Sequence, residues 1–280
     1  LDMTNYGLPP EQFAKLQKEL PGEVYITRTL ATYSYELNNK KAPFDNVNIR
    51  KALNLSLDRN VITDKVLGQG QTPTYVFTPT YIEEGHLIQQ PAYSKEPMAQ
   101  RNEEAIKLLE EAGYSKANPL KFTILYNTNE NHKKVAIAAA SMWKANTKGL
   151  IDVKLENQEW KTYIDSRRAG RYDAARAGWN ADYNQATTFG NYFLSNSSNN
   201  TAKYANPEYD KAIAESYVAT DAEGRAKAYA KAEEILAKDF GIVPIFNYVN
   251  PRLVKPYVKG YSGKDPQDHI YLRNLYIIKH

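Results

Sequence analysis

The stretch LKFTILYNTNENHKKVAIAAASMWKANTKGLIDVKLENQEWKTYIDSRRAGRYDAARAGWN, residues 120–180, decides the fold class. Apolar and polar side chains alternate in three segments of it, which predicts strands at 120–126, 151–156 and 172–179. The two segments between them, 132–146 and 158–170, have the spacing and composition of helices. A β-α-β-α-β order with short links predicts a parallel sheet with packed helices, so ligand-binding residues are expected at the carboxyl ends of the strands.

Local signals organise the rest of the chain. Helices are predicted at 9–20, along the apolar repeat from Ile49 to Ile62, and at 101–114, 206–219 and 221–240. Extended segments are predicted at 23–39 and 241–249, a long ordered loop at 68–98, and an irregular or extended tail at 250–280. Together these elements predict an α/β fold with a central, mostly parallel sheet flanked by helices.

Composition excludes several kinds of site. The 280 residues are 42% hydrophobic and 24% charged with a net charge of +4, which is typical of a globular chain and gives no argument for a nucleic-acid partner. The chain has no cysteine, so disulfides, thiol catalysis and Cys-ligated metals are excluded. Its four histidines show no paired spacing, and the common nucleotide-binding and hydrolase motifs are missing. No metal or cofactor site is therefore predicted, and no apolar run is long enough to cross a bilayer.

Charged and aromatic residues cluster at the end of the third predicted strand. Arg176, Trp179 and Asp182 lie at or just beyond it, and Trp160 and Arg167 lie about two turns apart on the preceding helix. An aspartate accepts charge-assisted hydrogen bonds from an ammonium group, and an arginine offers a two-pronged contact to a carboxylate. The cluster can therefore hold a zwitterion. The alternative is a surface salt bridge beside buried tryptophans, which spacing alone favours.

Three further residues are candidates for a functional role. His132 opens the middle helix, where a positive imidazole is disfavoured, so it is either structural or a partner for a carboxylate. Glu36 and Asp45 can be imagined as the acid/base pair of a glycoside hydrolase. Nothing in the sequence fixes their separation, and Asp45 fits better as the N-cap of the helix after Pro43. A carbohydrate-binding protein or a glycoside hydrolase with tryptophan platforms remains the alternative function.

Several stretches resemble one protein family. APFDNVNIRKALNLSLDRNVI (42–62) and RNEEAIKLLEEAGY (101–114) are similar to segments of the peptide- and nickel-type solute-binding proteins of bacterial ABC importers. LYNTNENHKK (125–134), residues 157–184 and NPRLVKPYVKGYSGKDP (250–266) resemble the oligopeptide-binding branch of that family more closely. The similarity covers essentially the whole chain.

The resemblance implies a type II periplasmic-binding-protein lobe in a chain of about half the family's length. The end of a first lobe would lie at 1–30, a second α/β ligand-binding lobe at 31–245, and a return segment to the first lobe at 246–280. The implied protein is periplasmic, performs no catalysis, binds short oligopeptides and delivers them to ABC permease subunits in the inner membrane. Its signal peptide and the N-terminal half of the same protein would be absent from this fragment.

The resemblance also assigns roles to the residues at the two ends of the peptide. Asp182 matches the family position that takes the peptide α-amino group. Arg176, Arg167 and His132 match cationic positions that meet the peptide carboxylate, depending on peptide length. A two-ended site for an amphoteric chain is therefore expected.

Other matching positions would surround the peptide. They are the side-chain pocket residues Trp160 and Trp179, the nearby residues Asn127, Glu36 and Tyr248, and the backbone groups around Gly178 and Asn180. The backbone groups would pair with the peptide main chain as an added strand, which reads length and direction but not sequence.

Two departures from the family pattern concern the same region. Family members often carry a cysteine pair that joins the strand near Ala31 to the loop near Asn180, and neither residue is cysteine here. We therefore expect packing and hydrogen bonds to hold that loop. Arg168 replaces a histidine and adds positive charge on the carboxylate side.

Overall fold

The computed structural model describes residues 2–5 and 7–280, so Leu1 and Tyr6, both within the predicted segment 1–30, lie outside the description. The α-helices are α1 (Pro10–Glu19), α2 (Val47–Leu55), α3 (Met98–Glu111), α4 (Glu130–Asn146), α5 (Trp160–Arg168), α6 (Thr187–Gly190), α7 (Pro207–Val218) and α8 (Ala222–Lys238). The strands are β1 (Val24–Leu37), β2 (Thr72–Pro73), β3 (Leu120–Asn127), β4 (Ile151–Gln158), β5 (Ala174–Asn180), β6 (Ile242–Leu253), β7 (Val258–Lys259) and β8 (Tyr276–Ile277). Of these described helices, none is long and apolar enough to span a membrane.

The central sheet has the strand order β2-β6-β1-β5-β3-β4. Strand β3 runs parallel to β4 and β5, so the β-α-β-α-β prediction for 120–180 and the α/β fold class are confirmed. The prediction of a mostly parallel sheet is wrong, because β1 pairs antiparallel with both β5 and β6, and β2 pairs antiparallel with β6. The sheet is therefore mixed. The alternation within one strand indicates its exposed and buried faces but not its partner or direction.

Local details differ from the sequence predictions where competing signals lie close together. The helix predicted from Ile49 to Ile62 is split into α2 and a π-helix at Val61–Leu67. The N-cap of α2 is Asn46, whose side-chain oxygen accepts a hydrogen bond from the Asn48 N–H at 2.9 Å, and not Asp45. Both residue types cap helices well, so composition alone does not separate neighbours.

The two larger of the three hydrophobic clusters among the described residues cover the opposite faces of the sheet. The period of two along β1 directs Tyr33 and Tyr35 into one core, which is centred on the fully buried Trp143 of α4. The other core contains Phe189 and Phe193 and is covered by α7 and α8. Burial on both faces makes the position of each β1 side chain a strong constraint on strand register.

Strands β1 and β6 cross both predicted domain boundaries. Val24 pairs with Leu253 at one end of their ladder, and Glu36 pairs with Ile242 at the other. The register shifts between Arg28 and Thr32, which marks a bulge or irregularity beside residue 30. The two segments near 30 and 245 are thus parts of one continuous pair of strands.

The two tryptophans of α4 and α5 give a direct test of this packing. Trp143 is fully buried and its Nε1–H donates to the Leu53 carbonyl at 2.9 Å, whereas Trp160 is 56% exposed. We expect Trp143→Ala to lower the free energy of unfolding by about 3–5 kcal/mol, because it removes packing and leaves a cavity. Trp160→Ala is the matched control and should cost about 1 kcal/mol or less. Urea titrations that gave equal losses would contradict the core assignment.

Candidate functional site

The topology gathers most of the predicted site residues at one edge of the sheet. Because β3, β4 and β5 are parallel, their carboxyl ends at Asn127, Gln158 and Asn180 lie at the same edge. Helices α4 and α5 begin there and bring His132 and Trp160 to that edge. We call this region the carboxyl edge.

One edge of β5 is open along its last residues. Strand β3 pairs with β5 only at Ala174 and Ala175. From Arg176 to Asn180, β5 keeps its partner β1 on one side and has no recorded strand partner on the other within the described residues. The Arg176 carbonyl on that side already accepts a hydrogen bond from the Tyr163 hydroxyl. The backbone groups beyond it can therefore accept a further extended chain.

Arg176 lies on the Tyr33 face of the sheet. One of its terminal nitrogens donates to the Tyr248 hydroxyl at 2.6 Å, and its guanidinium carbon lies 5.2 Å from the centre of the Tyr33 ring. The side chain is partly buried and its Nε atom has no hydrogen-bond partner in the described chain. Gly178 permits this approach, because an added Cβ would lie 3.1 Å from Arg176 and 3.2 Å from the Tyr248 hydroxyl. A strong cation is therefore held in place by aromatic groups.

His132 faces the same group of aromatic residues. Its ring centre lies 5.5 Å from that of Tyr33, and its Nδ1 is buried without a hydrogen-bond partner among the described residues. Burial and the positive charge of Arg176 lower the pKa of His132 to about 3. His132, Tyr33 and Tyr248 line a cavity of about 260 Å³. The imidazole is therefore neutral near pH 7.

Arg167 and Glu36 form a closed ion pair on the opposite face of the sheet. The Nε and terminal nitrogens of Arg167 donate to the two carboxylate oxygens of Glu36 at 3.0 and 2.7 Å. The Glu36 side chain is 1% exposed and also accepts hydrogen bonds from the hydroxyls of Tyr192 and Thr201. Sequence reasoning placed both residues near the ligand. The structure joins them to each other and separates them from Arg176 by the sheet.

Asp182 lies on the exposed loop after β5. The Thr188 hydroxyl donates to its carboxylate at 3.3 Å and accepts from its backbone N–H at 3.2 Å. The same hydroxyl accepts from the Trp179 indole N–H at 3.2 Å. Gln267 donates to the Asp182 carbonyl at 3.3 Å. Thr188 thus links the carboxylate to the indole and restricts the loop.

Arg176 and Asp182 are alike in one respect. Neither takes part in an ion pair within the part of the chain that the structure describes, residues 2–5 and 7–280. They therefore offer opposite charges near the open edge of β5 without neutralising each other. The ion pair in this region is that of Arg167 with the buried Glu36, and not the surface salt bridge between cluster residues that spacing favoured.

The remaining predicted site residues lie around the carboxyl edge. Trp160 is exposed and stacks on Tyr163 with ring centres 5.9 Å apart. Trp179 is partly buried and contacts Tyr192 edge-on at 4.9 Å. Asn127 ends β3 with its Oδ1 buried and without a hydrogen-bond partner in the described residues. Both indoles thus have apolar support on one side.

Backbone pairing holds the site loop in the absence of cysteines. Ala31 and Asn180 are register partners in the β1–β5 ladder. The next residue, Ala181, donates its N–H to the Leu30 carbonyl at 2.8 Å. The Ala31 and Asn180 positions are therefore adjacent, and a hydrogen bond between their neighbours Leu30 and Ala181 helps to hold the loop, as expected.

Sequence reasoning missed several residues that support the site. Tyr33 contacts both Arg176 and His132, and Thr188 bonds both Trp179 and Asp182. The alternation in β1 and the excess of tyrosine point to Tyr33 as an inward-facing aromatic. No local pattern identifies Thr188, because its role depends on how the loop folds back.

An α/β fold with an open strand edge and two opposite charges that are unpaired among the described residues has the features of a ligand-binding protein, and the comparisons specify the family. Residues 1–201 match the family model of bacterial extracellular solute-binding proteins, family 5 Middle. The chain belongs to this family.

Relatives agree with this assignment. The periplasmic oligopeptide-binding protein OppA of Haemophilus influenzae is 97% identical over 280 residues, which are 100% of this chain and 52% of that protein. OppA of Salmonella typhimurium is 54% identical, and its match covers 100% of this chain and 51% of that protein. The chain thus spans about half the length of these relatives.

Solved structures show the same fold. The structure of Haemophilus influenzae OppA in complex with RPPGFSPFR matches with a TM-score of 0.92 and 96% identity, over 100% of this chain and 54% of that one. The Escherichia coli murein tripeptide-binding protein MppA matches with a TM-score of 0.90 and 43% identity, over 100% of this chain and 54% of that one. This chain therefore has the architecture of the corresponding part of type II periplasmic binding proteins.

The partly buried His132 predicts that stability depends on pH. The ordinary pKa of 6.5 falls to about 3 in the fold, so between these values the unfolded chain binds a proton that the folded chain does not. Acidification below about pH 6.5 therefore favours unfolding through this residue. We expect the free energy of unfolding to fall less between pH 7 and pH 5 in His132→Gln than in the wild type. Superimposable pH profiles from urea titrations would contradict the assignment.

The Glu36–Arg167 pair predicts a large stability effect. We expect Glu36→Gln to lower the free energy of unfolding by about 3–5 kcal/mol, because it leaves the buried guanidinium without its counter-charge. The matched control is Glu215→Gln, whose partner Lys231 and own side chain are 47% and 44% exposed. That change should cost about 1 kcal/mol or less. Equal losses in thermal and urea unfolding would refute a buried, tightly coupled pair.

Proposed function

We propose that this chain is the main ligand-binding part of the solute-binding component of an ABC peptide importer, and that it holds short oligopeptides by their ends and main chain. The observation that carries the proposal is the open edge of β5 between the unpaired charges of Arg176 and Asp182. The peptide-bound structure of the Haemophilus influenzae relative supports a peptide as the ligand.

The dimensions of the open edge suit a short extended peptide. A strand rises about 3.3 Å per residue, so the segment from Arg176 to Asn180 covers about 13 Å. This is the length of three to four extended residues. Backbone groups of Gly178 and Asn180 would pair with the peptide main chain, which gives affinity without a sequence requirement.

The charged residues take different parts in this proposal. Asp182 would accept hydrogen bonds from the α-ammonium group, and Arg176 would bind the carboxylate. His132 would be recruited by longer peptides, since a nearby carboxylate raises its pKa and favours the imidazolium. Arg167 is already bound to Glu36, so in this proposal it supports the sheet beneath the site and reaches a ligand only if that pair opens.

Aromatic and amide groups would surround the peptide side chains. Trp160 and Trp179 would line the side-chain pockets, and Asn127 and Tyr248 would contact the ligand or ordered water. Water can fill whatever space a side chain leaves, so such pockets tolerate different residues. This tolerance fits a site that reads chain ends and backbone.

We further propose a two-lobed periplasmic protein that closes around its ligand. Residues 31–245 would form the ligand-binding lobe, with 1–30 and 246–280 belonging to a lobe completed by the missing N-terminal half. The register shift in the β1–β6 pair beside residue 30 supports a hinge there. A peptide that binds the closed form better shifts the population toward it, and the permease subunits would receive the closed complex.

The structure and the relatives give no support to the carbohydrate alternative. A glycoside hydrolase needs two carboxylates facing one cleft about 5–10 Å apart. Glu36 is buried and occupied by Arg167, Tyr192 and Thr201, so it is not available as the acid or base. The matched family consists of solute-binding proteins, and we propose that this chain likewise performs no catalysis.

The role of Asp182 is tested by removing its charge. In the intact protein, we expect Asp182→Asn to weaken trialanine binding about tenfold in calorimetry, because a charge-assisted bond to the ammonium group is lost. The melting temperature should stay unchanged, since the side chain is exposed. Asp152→Asn, at the amino end of β4, is the control. An unchanged dissociation constant for Asp182→Asn would overturn the assigned role.

A further inference from the structure

The loop that carries Asp182 is anchored by a second loop, residues 83–85. The Glu83 N–H donates to the Asn184 side-chain oxygen at 3.2 Å, and the Ala186 N–H donates to the Glu83 carbonyl at 3.0 Å. The Gln185 side chain donates to the Glu84 carboxylate at 3.0 Å. Three consecutive residues of the Asp182 loop are therefore bound to one short segment elsewhere in the chain.

Glu84 is the centre of this anchor. Its side chain is only 4% exposed. One carboxylate oxygen accepts from Arg225 of α8 at 2.7 Å, and the other accepts from Gln185. A buried carboxylate is stable only when its charge and its oxygens are satisfied, so Arg225 fixes where Glu84 lies and Glu84 fixes where Gln185 lies.

The backbone conformation at Glu84 and the close packing at Gly85 are both unusual. Glu84 has a φ of 65°, in the left-handed region that side chains other than glycine rarely adopt. An added Cβ on the next residue, Gly85, would lie 2.7 Å from Ile82 and 2.9 Å from the Pro79 carbonyl. Strained backbone persists only where surrounding contacts over-determine it, and such positions concentrate at binding sites.

The anchor continues into the part of the loop that contacts Asp182. The Thr187 hydroxyl donates to the Gln185 side-chain oxygen at 3.0 Å and also bonds the Tyr229 hydroxyl of α8 at 2.6 Å. The next residue, Thr188, bonds Asp182 directly. A continuous series of contacts thus leads from Arg225 through Glu84 and Gln185 to the residue that orients the Asp182 carboxylate.

We propose that Glu84 is a positioning residue for the ligand's ammonium group. It acts through Gln185 to hold the Asp182 loop in the conformation that presents the carboxylate, and it touches no ligand itself. The inference rests on the proposed function, in which Asp182 binds the α-ammonium group. It adds a specificity determinant away from the open edge of β5: the preference for a free amino end depends on the anchor as well as on Asp182.

The test compares two ligands, trialanine and N-acetyl-trialanine, in the intact protein. Gln185→Ala removes the side-chain link from Glu84 to the Asp182 loop and leaves the Glu84–Arg225 pair in place, so it avoids the risk of an unpaired buried charge. We expect it to weaken trialanine binding about tenfold and to change N-acetyl-trialanine binding less than about twofold. If Gln185 only stabilised the fold, the variant would bind both ligands more weakly by the same factor. The ratio of the two affinities is therefore the deciding quantity.

The control is Glu223→Gln, an exposed acid of α8 whose contact is the exposed His86. It should leave the affinity ratio at the wild-type value. If the wild type discriminates between the two ligands and Gln185→Ala discriminates equally well, the positioning role is refuted while the Asp182 role stands. If the wild type does not discriminate at all, the proposed role of Asp182 fails and this inference fails with it.

Discussion

The antiparallel pairing of β1 with β5 is the constraint on which the site depends. It runs from Leu37 and Ala174 at one end to Ala31 and Asn180 at the other, and fills one edge of β5 along its full length. The parallel partner β3 leaves after Ala175, so the other edge of β5 is open where the predicted ligand residues begin. If β3 continued alongside β5, the same residues would be present but their backbone groups would already be paired. The open edge thus exists because the β3–β5 ladder is shorter than the β1–β5 ladder.

The same pairing decides which charges are available. Side chains of neighbouring strand residues point to opposite faces, so Arg176 joins Tyr33 on one face while Glu36 joins Arg167 on the other. The buried Glu36 neutralises Arg167, and the sheet separates it from Arg176. A one-residue slip in register would exchange these faces and bring the carboxylate to the wrong arginine. The register of β1 on β5 therefore determines which arginine stays unpaired, just as it determines which side chains enter the core.

The sequence predicted the helices and strands near the site, but not which distant strands and side chains pair with each other. Strands β3, β4 and β5 and the helices between them follow from periodicity within short windows, and their parallel order follows from the short links. The partners of β1 do not, because Glu36 pairs with Ala175 and Ile242, which lie far away in the chain. The Arg167–Glu36 pair was missed for the same reason. Resemblance to a family supplied candidate positions, but only the folded chain shows which of the cations is already neutralised.

The two ends of the proposed site differ in exposure, and so in the support that each charge needs. Arg176 extends from a paired strand between aromatic rings, in a partly buried place where electrostatic attraction is stronger than in water. Asp182 lies on an exposed loop, where water weakens its attraction and where the loop's own freedom opposes binding. An exposed carboxylate becomes a selective contact only if its position is fixed in advance, since ordering it at the moment of binding costs affinity. Thr188 and the anchor at Glu84 meet this requirement from two sides. The exposed end therefore needs more supporting structure than the partly buried end, and this support comes both from the nearby Thr188 and from Glu84 and Arg225, which are remote in the sequence.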